Sequence, residues 1–87
     1  MEKEFNFTDE ETEEMKLEMS IIEATIEARK KANITQRELS EKCGIIQPTI
    51  ARIEKMRTSP QTSTLINLLY PLGYTLKVVP LEKKNII

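Results

Sequence analysis

The sequence predicts an all-α domain of about five helices that is followed by a single C-terminal β-strand. Apolar residues recur at helical spacing over several stretches of the 87-residue chain. Capping residues and a glycine divide the middle of the chain into short helices. The last apolar stretch, residues 74–81, instead alternates with a period of two, which is typical of a strand.

Composition narrows the classes of function. A chain of this length holds one domain, and such small domains often gain stability by dimerising. One cysteine excludes an internal disulfide, and the absence of histidine weakens the case for a zinc site or a His-based catalytic site. The sequence contains no nucleophile–base pair, metal-ligand set or phosphate-binding glycine loop, so we expect no enzyme, cofactor, metal or small-molecule ligand. We expect no membrane segment and no signal peptide, which predicts a cytoplasmic protein.

Charge divides the chain into two parts. Residues 1–20 carry two bases and eight acids, a net charge of 2 − 8 = −6, whereas residues 21–87 carry eleven bases and six acids, a net charge of 11 − 6 = +5. The basic part suits a phosphate backbone, while the acidic part would be repelled by one. We therefore divide the chain into an acidic arm (1–19), a helical DNA-binding domain (20–73), the strand (74–81) and a tail (82–87).

In the acidic arm, Thr8 is placed to cap a helical run whose early acids suit a helix N-terminus. The apolar residues of the arm do not form a clean helical stripe. They are Phe5, Phe7, Met15, Leu17 and Met19. The arm is either a solvated leader or a segment that becomes ordered on a basic partner protein.

The first helix of the domain is expected at residues 20–32. Ser20 and Glu23 have the spacing of a capping box, and Ile22 and Ile26 fall on one helix face. Asn33 suits a left-handed helix end. The basic residues 29–31 either complement the C-terminus of this helix or contact a phosphate.

The stretch from residue 35 to residue 55 is predicted to form two short helices joined by a tight turn. Thr35 and Glu38 have the spacing of a capping box, and Gly44 is placed to end the first helix in a left-handed conformation. Pro48 suits the first turn of the second helix. Ile50 and Ile53 then point inward, which leaves the other face of the second helix outside.

This pattern is that of a helix-turn-helix whose second helix enters the major groove of DNA. The alternative is a helical hairpin whose outer face is merely solvated. Gln47 can pair with an adenine edge and Arg52 with guanine O6 and N7, unless Arg52 forms a surface ion pair instead. The predicted base-contacting residues are Gln47, Pro48, Thr49 and Arg52.

A polar, basic loop follows the second helix and suits the DNA backbone, although it could also be a plain solvated turn. The predicted phosphate-contacting residues are Gln36, Lys55, Arg57 and Thr58.

A last helix is expected to start at Thr62 or Ser63, to close the core with a leucine stripe, and to end near Pro71 and Gly73. The leucines of the stripe are Leu65, Leu68, Leu69 and Leu72.

The strand that follows needs a partner strand, and we expect it to pair antiparallel with its copy in a two-fold dimer. The predicted dimer interface is Tyr74, Leu76, Val78 and Val79. The alternatives are a strand lent to a partner protein and a tail lying over its own helices.

Two stretches resemble known proteins. TQRELSEKCGIIQPTIARIE, residues 35–54, resembles the Cro/phage-repressor (XRE) helix-turn-helix family. SPQTSTLINLLYPLGYTLKVVPLE, residues 59–82, resembles the C-terminal part of HigA-type antitoxins. The resemblance extends over about residues 20–82. Family members usually carry Ser or Thr at the position of Ile46, and Gly at the position of Met56.

The resemblance implies a lambda-repressor-like fold and a Gln36 that touches a phosphate and steadies Gln47. It also implies a partner, a toxin of the RelE/HigB ribonuclease superfamily, for which the acidic arm is the candidate binding segment. The candidate toxin-binding residues are the apolar ones of the arm: Phe5, Phe7, Met15, Leu17 and Met19. The sequence is thus interpreted as an antitoxin that neutralises such a toxin and, as a homodimer, represses its own operon on palindromic double-stranded operator DNA. The alternatives are a stand-alone XRE-type repressor and a pure interaction module.

Overall fold

The computed structural model describes residues 9–81, with side chains from residue 12 onward. The elements in chain order are α1 (Asp9–Lys31), α2 (Gln36–Cys43), α3 (Gln47–Glu54), α4 (Thr62–Leu69) and a 3₁₀ turn (Tyr70–Leu72). The expectation of a helical bundle is confirmed. The expectation of about five helices is wrong for the described range, which contains four α-helices because the helical run of the arm and the helix expected at residues 20–32 form one helix, α1.

α1 is one continuous helix of 23 residues, and no helix begins at Ser20. Its first half is rich in Glu, Met, Lys and Leu, which are good helix formers, and it holds no Gly or Pro to interrupt it. α1 ends at Lys31, and Asn33, two residues later, has the expected left-handed conformation with a φ of 63°. The amides of Asn33 and Ile34 donate to the carbonyls of Lys30 (2.9 Å) and Arg29 (3.3 Å), which closes the last turn.

The core takes at least one residue from every helix. Its fully buried members are Ile22, Leu39, Ile50, Ile53 and Leu68, each at most 2% exposed. Burying side chains of this size stabilises a fold by about 1.5–3 kcal/mol each. Half-buried side chains pack around them; these are Ile26, Ile34, Cys43, Ile45 and Leu72. α1 and α4 therefore form the support against which α2 and α3 are held.

α4 starts at Thr62, after an N-cap at Gln61 that makes no side-chain cap bond. Its buried residues are leucines of the predicted stripe: Leu65, Leu68 and Leu69. The 3₁₀ turn contains Pro71 and ends at Gly73, whose φ is 89°. α4 itself ends at Leu69, and the 3₁₀ turn continues to Leu72, so the helical stretch ends near Pro71 and Gly73 as predicted.

The predicted C-terminal strand is absent from the described residues, and residues 74–81 have no regular secondary structure. A strand exists only where a second strand accepts and donates its backbone hydrogen bonds, and the rest of the described chain is helix and short loops. Tyr74 and Leu76 line a groove with Ile21 and Ala24 of α1. Val78 is 97% exposed and Val79 64%.

Candidate nucleic-acid interface

Hydrogen bonds fix both ends of α2 and the turn that follows it. The Thr35 hydroxyl accepts from the Glu38 amide at 3.0 Å, and the Glu38 carboxylate accepts from the Thr35 amide at 2.8 Å, so the predicted capping box is confirmed. Gly44 ends α2 with φ 80°, and its amide donates to the Ser40 carbonyl at 2.9 Å. The Ser40 hydroxyl donates to the Ile45 carbonyl at 2.6 Å, a clamp on the turn that the sequence did not predict.

α3 begins without a side-chain cap. Its N-cap is Ile46, whose side chain is 64% exposed and makes no cap hydrogen bond. The amides of Thr49 and Ile50 donate to the Ile46 carbonyl at 3.0 and 3.2 Å, so backbone groups alone start the helix. Pro48 stands in the first turn, where its missing N–H breaks no bond.

α3 ends at a left-handed residue that is not glycine. Met56 has φ 59°, its amide donates to the Ile53 carbonyl, and the Arg57 amide donates to the Arg52 carbonyl, both at 2.9 Å. This pair of bonds is the Schellman motif, usually closed by Gly. A left-handed conformation costs a residue with a Cβ about 1–2 kcal/mol. The helix therefore ends where a family Gly would end it, with a side chain added at the turn.

The two faces of α3 differ in burial. Ile50 is 0% exposed and Ile53 2%, and these residues anchor the helix in the core. Gln47, Pro48 and Arg52 are exposed and Thr49 is half-buried, so all four predicted base-contacting residues lie on the same helix outside its anchor.

No hydrogen bond or ion pair connects the side chain of Arg52 to any residue that the structure describes. The acid at the end of its own helix, Glu54, pairs with Arg29 instead. The guanidinium of Arg52 therefore keeps its five donors available to a ligand.

A three-residue network ties α3 to α1 and α2. The Arg29 Nε and Nη2 atoms donate to Glu54 Oε2 and Oε1 at 2.8 and 2.9 Å, and Arg29 Nη1 donates to the Ile34 carbonyl at 2.9 Å. Gln36 Nε2 donates to Glu54 Oε1 at 2.9 Å. The side chains of Arg29 and Glu54 are only 12% and 10% exposed, so this is a bidentate pair largely withdrawn from water.

The Glu54 carboxylate raises the pKa of Arg29 above its ordinary value through their hydrogen bonds, against the opposing effect of burial. The guanidinium is therefore charged at every physiological pH. An acid in the last turn of a helix opposes the helix dipole. This unfavourable position is the feature of the sequence that could have pointed to a distant cationic side chain as the partner of Glu54.

The predicted phosphate-contacting residues separate into two groups. Lys55, Arg57 and Thr58 are exposed in the turn and loop after α3, and neither base is paired with another described residue. Gln36 is half-buried at the start of α2, with its amide nitrogen bound to Glu54. No bond between Gln36 and Gln47 joins the two ends of the motif in the described structure.

The apolar residues of the acidic arm differ in where the structure places them. Phe5 and Phe7 lie outside the described residues. Met15 and Met19 are 47% and 46% exposed and stand four residues apart, on the face of α1 that continues to buried Ile22. Leu17, 62% exposed, points to the opposite side of the helix.

Comparison with known proteins agrees with this geometry. A family model described as "Helix-turn-helix" matches residues 26–79. The chain belongs to the XRE-type helix-turn-helix family. The matched range includes α2, α3 and α4 and the end of α1 from residue 26, so the family assignment rests on more than α2 and α3 alone.

Two relatives extend the comparison beyond the family motif. This XRE-type protein is 47% identical over 79 residues to an uncharacterized HTH-type transcriptional regulator of Haemophilus influenzae, with 91% of this chain and 81% of the relative covered. It is also similar to a solved chain described as "Toxin-Antitoxin module from Streptococcus pneumoniae". That match has a TM-score of 0.71 and 46% identity, and covers 87% of this chain and 84% of the other.

The described part of the XRE-type protein also bears on metal binding and membrane insertion. Among those residues, no three His, Cys, Asp or Glu side chains are grouped so that they could hold a metal ion. Across the same residues, no helix combines the length and apolar character needed to cross a membrane.

Proposed function

We propose that this protein is a HigA-like antitoxin that represses its own operon by binding DNA and that neutralises a RelE/HigB-like ribonuclease. The observation that carries the proposal is the combination of an unpaired outer face on α3 with close similarity, over most of the chain, to part of a toxin–antitoxin module. In this proposal the protein acts in the cytoplasm.

The DNA-binding part of the proposal assigns base contacts to Gln47, Pro48, Thr49 and Arg52. Their helix is anchored by two buried isoleucines, which supports insertion of its outer face into a major groove. Lys55, Arg57 and Thr58 follow at once and are exposed, which suits contacts to the flanking phosphates. Gln36 reaches a phosphate from the start of α2, oriented by its bond to Glu54.

The repressor acts as a homodimer in this proposal. Its C-terminal segment exposes apolar side chains that a second copy would cover, and we assign Tyr74, Leu76, Val78 and Val79 to that contact. Two-fold symmetry then places the two α3 helices about one DNA turn, or 34 Å, apart on a palindromic operator.

The proposal is tested in two cellular assays. The protein encoded beside this chain is induced alone, and growth arrest is expected; co-expression of this chain is expected to restore growth. A reporter driven by the operon's own promoter is expected to fall when the chain is supplied, and DNase protection is expected over a palindrome. Absence of growth arrest, or arrest that the chain does not relieve, contradicts the antitoxin role.

A stand-alone repressor is the second candidate, favoured by the relative described only as an HTH-type transcriptional regulator. It predicts promoter repression without any toxin partner. The two assays separate the candidates because only the antitoxin relieves growth arrest.

A further inference from the structure

An apolar groove of about 480 Å³ lies between the first half of α1 and the segment that follows α3. One wall consists of Met15, Glu18, Met19 and Ile22, and the other of residues 56–59, with Met56 at the left-handed turn. The Ser59 hydroxyl donates to the Glu18 carboxylate across the groove and holds the two walls together.

This groove is an extension of the core that the described chain leaves uncovered. Met15, Met19 and Ile22 follow one another at spacings of four and three residues, so they form one stripe along α1. Ile22 is 2% exposed, whereas Met15 is 47% and Met19 46%, and Met56 on the far wall is 36% exposed. Methionine side chains adapt to different partners because their thioethers are flexible and polarizable.

The charge around the groove selects its occupant. The charged residues that line the groove are Glu18 on the α1 wall and Arg57 on the far wall. The stretch of α1 that carries the first wall, residues 12–23, is acidic, with Glu13, Glu14, Glu18 and Glu23 against Lys16, a net charge of 1 − 4 = −3. DNA would be repelled by the acidic α1 wall, although not by the far wall with Arg57, and a second copy of the same stripe would bring two acidic helices together. A basic protein, in contrast, would be attracted to it.

We propose that this groove is the docking site of the toxin, and that it receives an apolar side chain flanked by Lys or Arg on the toxin surface. The proposal rests on the antitoxin function proposed above and names its partner-binding surface. The far wall includes Arg57 and Thr58, which we assign to the DNA backbone, so toxin and DNA would meet on one four-residue segment.

The test compares two faces of α1. Met15→Gln/Met19→Gln keeps side-chain length and helix propensity while making the stripe polar. Leu17 does not line the groove, so the proposal removes it from the toxin-binding residues that the sequence suggested. Leu17→Gln is therefore the matched control, since it makes the same kind of change at a more exposed site on the opposite face. Affinity for the purified toxin encoded beside this chain is measured by calorimetry with each full-length variant. Operator affinity and the unfolding midpoint confirm that each variant is folded.

We expect the double variant to bind the toxin at least tenfold more weakly and the control to bind within twofold of wild type. A photo-cross-linking residue at position 19, but not at position 17, is expected to join the toxin, which keeps the test valid if the double variant unfolds. Equal binding by all three proteins, or cross-linking from position 17 alone, overturns the groove while the antitoxin role stands. If wild type itself does not bind the toxin, the antitoxin role fails and the groove assignment fails with it.

Discussion

At the scale of single residues, base recognition by this protein depends on which side chains the core leaves unpaired. Arg52 shares α3 with buried Ile50 and Ile53, and the one acid of this helix, Glu54, stands two positions away and so does not face Arg52. Glu54 is bound by Arg29 and Gln36, and the guanidinium of Arg52 has no partner among the described residues. A bidentate pair with guanine can therefore form without first breaking an internal bond.

Arg52→Ala is expected to lower operator affinity by about 1–3 kcal/mol and to relax discrimination at one base pair, because it removes a base contact. Lys55→Ala serves as the contrast, since loss of a phosphate contact weakens binding to all sequences and lowers the salt slope by about one. Binding to operator and random duplexes across a salt series measures both. An equal loss on both duplexes for Arg52→Ala would contradict its role in base recognition.

At the scale of the element, α3 is a short helix whose two ends are made in unusual ways. It starts at an uncapped isoleucine and ends at a left-handed methionine, where family relatives commonly place Ser or Thr and Gly. Eight residues are too few to be stable as an isolated helix. The orientation of α3 therefore depends on Ile50, Ile53 and the Glu54 network rather than on its caps.

Ile46→Ser is expected to raise the free energy of unfolding by about 1 kcal/mol, because a hydroxyl at this position can accept from the Thr49 amide, as the Thr35 hydroxyl accepts from the Glu38 amide at the start of α2. The backbone of Ile46, with φ −66° and ψ 148°, already has the N-cap conformation, and its exposed side chain contributes little burial. Ile46→Ala is the control, with the same loss of side chain and no cap. Chemical denaturation measures both, and a Ser variant no more stable than the Ala variant would refute the missing-cap explanation.

At the scale of the whole molecule, Arg29, Gln36 and Glu54 join three helices that are separate in the sequence. The last turn of α1, the first residue of α2 and the last residue of α3 meet at one carboxylate. Removing one member of a buried pair leaves a charge without compensation, which is more destabilising than loss of a surface pair.

Glu54→Gln is therefore expected to lower the free energy of unfolding by about 3 kcal/mol, the lower end for a buried pair, because both side chains keep slight exposure. The exposed Glu41 of α2 offers a matched control, since Glu41→Gln should change stability by less than about 0.5 kcal/mol. Urea denaturation compares the two variants. Equal stabilities would show that the network does not hold the helices together.

The sequence by itself determined the local features of this protein. The capping box at Thr35 and Glu38, the left-handed ends at Asn33 and Gly44, and the buried Ile50 and Ile53 all follow from rules that act within a few residues. The helix-turn-helix and its outer face could therefore be predicted, because each depends on caps and on helical spacing alone.

Only the tertiary structure decided the features that depend on distant residues. The partner of Glu54 is 25 positions away, the methionine stripe of α1 becomes a groove only against residues 56–59, and residues 74–81 form no strand in the described chain. Spacing indicates which residues share a face, but it does not indicate what lies opposite that face. The role of Glu54, of the methionine stripe and of residues 74–81 depends on which residues lie next to them in space, and tertiary packing determines those neighbours.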